Sequence, residues 1–101
     1  MQTETGIFAE AGAQANPPSA KAIQEWLILK ISELLGLARD EIVVTEPFAS
    51  YGMGSMAAVS MAGDLEDWLG FQLSPTLAWD YPTVEVLARH LAGATLARAS
   101  A

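Results

Sequence analysis

The stretch Phe48-Ala49-Ser50-Tyr51-Gly52-Met53-Gly54-Ser55-Met56 decides how this chain is read. Its two glycines allow a tight turn just before Ala57 to Leu69, a run without proline and made mostly of good helix formers. Ser55 therefore falls in the first turn of a helix. There the free backbone N–H groups and the positive end of the helix dipole favour a phosphate, by roughly 0.3 to 1 kcal/mol for an exposed charge. On local spacing alone, plain capping is the commoner role of such a serine.

Composition narrows the choice. The chain has 101 residues, 51% of them hydrophobic, with three tryptophans, which suits one domain around one modest core. Five Lys and Arg stand against twelve Asp and Glu, and the net charge of -7 argues against nucleic acid and anionic membranes as partners. Basic surfaces are the expected partners. With no cysteine, the chain has neither disulfides nor a thiolate metal site, so any thiol chemistry must come from an added group. His90 is the single imidazole, and it reads as a satisfied or exposed surface histidine. No signal-peptide pattern opens the sequence and no apolar run approaches the ~18 residues of a membrane span, so a cytoplasmic monomer is expected.

Working upstream from the serine, Pro47 disfavours helix at Glu46 and marks a boundary. The connection from Leu37 to Phe48 carries Leu37, Ile42, Val43 and Phe48 as apolar pins, and Ile42 to Thr45 reads as a packed loop because no partner strand is in sight. Before it, Ser19 is the expected N-cap of a helix that ends near Leu35 at the stop signal Gly36. Its core stripe is Ile23, Leu27, Ile31 and Leu34 or Leu35, with Trp26 at the edge of the core. Residues 1–18, rich in Ala, Gly, Gln and Thr, read as a flexible leader or linker.

Downstream, Met61, Leu65 and Leu69 with Ala58 and Ala62 form the core face of the serine-bearing helix, which Gly70 ends. Met56, Val59 and Gly63 lie on another side, either widening the buried face or forming a docking strip. Asp64, Glu66 and Asp67 make its acidic margin. A loop with room for one short helical turn follows, packed by Leu73, Leu77 and Trp79. Pro82 suits the first position of a last helix whose core face is Val84, Leu87, Ala88 and Leu91 and whose expected stop is Gly93. The reading is an all-α, small four-helix bundle, three main helices and one short one, over residues 19–93, with 94–101 as a tail or linker. From Asp40 to Ala88 there are eight acids and no Lys or Arg, so the middle of the chain is its acidic surface and encloses Ser55.

Phe48-x-x-Tyr51-Gly52-Met53-Gly54-Ser55-Met56 resembles the phosphopantetheine attachment motif of acyl carrier proteins. Leu73 to Val84, followed by Leu87-Ala-Arg-His-Leu91, is similar to the third-to-fourth-helix segment of modular polyketide synthase carrier domains. The resemblance implies a non-catalytic carrier with 4'-phosphopantetheine from coenzyme A on Ser55, next to the turn Gly52, Met53, Gly54. Its terminal thiol would hold acyl or polyketide intermediates as thioesters. The partners implied are a phosphopantetheinyl transferase, an acyl-AMP ligase or acyltransferase, and a ketosynthase or other synthase domains. Gly63-Asp-Leu-Glu-Asp-Trp-Leu-Gly70 is similar to the same segment of carriers that receive chains from acyl-AMP ligases, and this resemblance implies loading by such a ligase. Positions equivalent to Met56, Val59 and Gly63 commonly face partners in that family. Gly54 departs from it, because an acidic residue usually precedes the serine, and this bears on the choice of transferase.

Two other readings compete. A serine hydrolase fails on inventory, since Gly52-Met-Gly-Ser-Met56 is not Gly-x-Ser-x-Gly and no strand is expected before it. The other is a structural or adaptor bundle whose serine stays unmodified.

Overall fold

The computed structural model describes residues 18–100, with side chains to Arg98; the leader expected over 1–18 thus lies outside the described residues except for Pro18. Helix α1 is Ala20–Leu35, α2 is Ser55–Leu69, α3 is the single turn Leu77–Asp80, and α4 is Val84–Ser100. Two 3-10 turns, Arg39–Glu41 and Phe48–Tyr51, break the long connection between α1 and α2. No strand forms among the described residues, which agrees with the all-α expectation.

Local chemistry sets the ends of α1. The Ser19 hydroxyl accepts from the Ala22 N–H at 3.1 Å, and Gly36, at φ 69°, turns its own N–H onto the Ser32 carbonyl. The stripe of α1 closes completely, with Ile23, Leu27 and Ile31 all at 0% exposure. Burial of each is worth about 1.5–3 kcal/mol. They meet Ala58, Met61 and Leu65 from α2 and Val84, Leu87, Ala88 and Leu91 from α4 in one core. The α1–α4 pairing is the most extensive helix contact.

Four expectations need correction. Gly93 does not stop α4, which runs on to Ser100. Beyond the glycine, Thr95 is buried and donates to the Ala92 carbonyl, and Arg98 lies 4.5 Å over the Phe71 ring. This packing offsets the roughly 1 kcal/mol that glycine costs inside a helix. Pro82 is not the first helical residue either: Thr83 caps α4, its hydroxyl accepting from the Val86 N–H at 3.2 Å. Pro82 instead gives its carbonyl to the Phe48 N–H at 2.8 Å, beside an isolated antiparallel bridge between Pro47 and Thr83. Val43 does not pin its loop through its side chain, which is exposed; Ile42 and Phe48 are buried and Val44 is half-buried. Of the three residues expected to pack the loop before α4, Leu77 is buried and Leu73 half-buried, but Trp79 is 54% exposed.

The candidate carrier site

The turn that precedes α2 is held from both sides. Pro47 and Phe48 are tied to the start of α4, and the Val44 carbonyl accepts from the Glu85 N–H at 3.0 Å. The Tyr51 hydroxyl closes the same loop locally, accepting from the Val43 N–H at 2.6 Å and donating to the Val43 carbonyl. Gly52, at φ 80°, then reverses the chain, and Gly54 caps α2 with its backbone alone.

Gly54 has φ -85° and ψ 177°, and a Cβ placed on it would meet nothing within 4 Å. Only Gly52 of the two glycines is required by the backbone. Ser55 opens α2 and is exposed. The first bond of this helix runs from Ala58 N–H to the Gly54 carbonyl at 3.0 Å, so the N–H groups of Ser55, Met56 and Ala57 have no partner within the helix. The first turn has no side-chain cap and no acid, which leaves its positive end open to an anion.

Two surfaces flank the serine. Along α2, Met56 is 87% and Val59 47% exposed, so neither widens the core, and Gly63 is exposed beside them. Asp67 is exposed on the same side. The other two acids of the expected margin have partners within the fold. Asp64 pairs with Lys30 of α1 at 3.1 Å, and Glu66 Oε2 accepts from the Leu73 N–H at 2.8 Å. Between the turn before α2, the start of α2 and α3 lies an apolar cleft of about 150 Å³. Met53 and Ala58, on either side of Ser55 in sequence, line it together with Phe48, Ala78, Trp79 and Pro82.

Several of these features escaped the sequence reading. The Tyr51 clip, the Glu66 bond and the cleft each join segments that no short spacing connects. Thr83 did carry a signal, as a threonine directly before an apolar-periodic run. Trp26, placed at the core edge, stacks on Trp68 with ring centroids 5.2 Å apart, and Lys30 lies 5.4 Å from its ring centre. His90 is half-buried and stacks on Tyr81 at 3.9 Å. No group of three or more His, Cys, Asp and Glu side chains among the described residues is arranged to hold a metal.

The described residues thus form a helical bundle with Ser55 exposed at the start of α2. The family model "Phosphopantetheine attachment site" matches residues 25–91, and the chain belongs to that family of non-catalytic carrier domains, which hold a covalent 4'-phosphopantetheine. Over 70 residues it is 34% identical to a phenolphthiocerol/phthiocerol polyketide synthase of Mycobacterium tuberculosis, a match covering 69% of this chain and 4% of that protein. The chain thus spans a small fraction of the synthase it matches. A free-standing peptidyl carrier protein from Acinetobacter baumannii is similar in structure, with TM-score 0.73, 33% identity and coverage of 75% of this chain and 95% of that one. An acyl carrier protein from Anabaena sp. with a variant phosphopantetheinylation-site sequence gives TM-score 0.72 and 38% identity, covering 79% of this chain and 91% of that one.

Proposed function

We propose that Ser55 is the attachment point of the 4'-phosphopantetheine and that this chain carries acyl or polyketide intermediates as thioesters on that arm. The observation that carries the reading is an exposed serine at the open N-terminus of α2, inside the matched family segment. The residues fit the group. The unpaired N–H groups of the first turn suit its phosphate, no carboxylate crowds them, and the adjoining cleft is apolar. When attached, the arm supplies the thiol that the cysteine-free chain lacks.

The chain's own residues present the serine. Tyr51 and Gly52 shape the turn, Met53 and Gly54 complete it, and Met56, Val59 and Gly63 form the strip against which a partner docks. Asp67 carries the exposed charge of the acidic margin, while Asp64 and Glu66 stand behind it. The partners are a phosphopantetheinyl transferase, a loading acyl-AMP ligase or acyltransferase, and a ketosynthase or other synthase domain. An acidic surface steers such partners through fast, weak and salt-sensitive contacts. The setting proposed is polyketide or related lipid biosynthesis in the cytoplasm, with residues 19–93 acting as a monomeric carrier domain. No described helix is long and apolar enough to cross a membrane.

Incubation with coenzyme A and a promiscuous phosphopantetheinyl transferase tests the reading by intact mass. One phosphopantetheine addition is expected on the native chain and none on Ser55→Ala. Absence of any gain, or a gain that persists in Ser55→Ala, would favour an adaptor bundle with an unmodified serine.

A further inference from the structure

Glu66 stands 11 residues along α2 from Ser55, on the exposed side but half-buried. Its Oε2 accepts from the Leu73 N–H at 2.8 Å, across the loop that follows Gly70. Other hydrogen bonds of that loop are internal: the Ser74 hydroxyl bonds the hydroxyl and N–H of Thr76, and the Ser74 carbonyl accepts from the Leu77 N–H. Glu66 is therefore the side chain whose hydrogen bond ties the loop back to the helix bearing the serine. The loop leads directly into α3, which supplies Ala78 and Trp79 to the cleft. Met53 and Ala58 line the same cleft on either side of Ser55 in sequence.

We propose that Glu66 is a positioning residue: its carboxylate holds the loop before α3, and so sets Trp79 and the cleft beside Ser55, rather than offering its charge to a partner. The proposal rests on Ser55 being the attachment point and deepens that reading. Asp67, the next residue, provides the contrast. It is exposed and has no such hydrogen bond, so it is the acid a basic partner can read.

The two roles separate by substitution. Glu66→Gln removes the charge and keeps an amide oxygen that can accept from Leu73, Glu66→Ala removes both, and Asp67→Asn removes only an exposed charge. Amide exchange at Leu73 reports the loop, and KM and kcat for the carrier with a promiscuous phosphopantetheinyl transferase report recognition. Glu66→Ala is expected to speed Leu73 exchange and raise KM by about ten-fold each, the scale of a lost hydrogen bond to a charged group, with kcat little changed. Glu66→Gln is expected to stay within about three-fold of the native chain on both readouts. Circular dichroism confirms that each variant is folded. The proposal is overturned if Glu66→Gln raises KM as much as Glu66→Ala while Leu73 stays protected, or if Glu66→Ala leaves Leu73 exchange unchanged. Should the native chain accept no arm at all, the carrier reading falls, and Leu73 exchange still decides whether Glu66 holds the loop.

Discussion

Gly52 and Gly54 stand two residues apart in one turn, yet the backbone asks different things of them. At φ 80°, Gly52 occupies the left-handed region, where a Cβ costs roughly 1–2 kcal/mol. Gly54 lies in the extended region with open space around it, and its lack of a side chain leaves the first turn of α2 uncapped. Substitutions at the two should thus have opposite signs. Gly52→Ala is expected to lower stability by about 1–2 kcal/mol in urea unfolding. Gly54→Asp is expected to raise it by about 0.3–1 kcal/mol, through capping and the helix dipole. Neither effect depends on the arm, so the unmodified protein is the sample to measure.

At the scale of the element, α2 serves two surfaces with one helical period. Ala58, Met61, Ala62 and Leu65 are buried, while Met56, Val59 and Gly63 share the outward side of the helix. Because Val59 is 47% exposed, Val59→Glu should change stability by no more than about 0.5 kcal/mol. If the outward row is a docking strip, the same change should slow arm attachment by about five-fold or more, the scale of a contributing interface residue. Initial rates by intact mass, with circular dichroism as the control, check this. Equal rates would remove Val59 from the docking surface.

The whole molecule has a predictable alkaline limit. The Lys30 ammonium is held above its ordinary 10.5, mainly by its hydrogen bond to Asp64 and against a desolvation cost, where α1 meets α2. Burial raises the Tyr51 hydroxyl above its ordinary 10.0, against its backbone bond to Val43. Both groups hold their proton more tightly folded than unfolded, so their contributions are complete below about pH 10 and lost as pH rises through the folded values. Lys30 keeps 23% of its side chain exposed, which limits its share. The midpoint of urea unfolding is expected to be level from about pH 8 to 9.5 and to fall above about pH 10, less steeply in Tyr51→Phe. A midpoint that stayed level to about pH 11 would contradict the direction of both shifts.

What the sequence by itself determined was whatever consecutive residues settle among themselves. Ser19 and Gly36 bound α1, Gly70 ends α2 at φ 84°, and the apolar periods of three helices select the buried stripe, because capping and helical spacing act within one turn. The Ser55 turn was legible for the same reason. Tertiary structure alone decided the rest. Gly93 is a fair local stop, yet Thr95 and Arg98 find partners that carry α4 past it. Phe48 reaches Pro82, Val44 reaches Glu85 and Glu66 reaches Leu73, and these bonds place the serine turn, the cleft and α3 with respect to one another. A period or a cap says which residues a helix buries or begins with; only the packed chain says which distant backbone groups come close enough to bond.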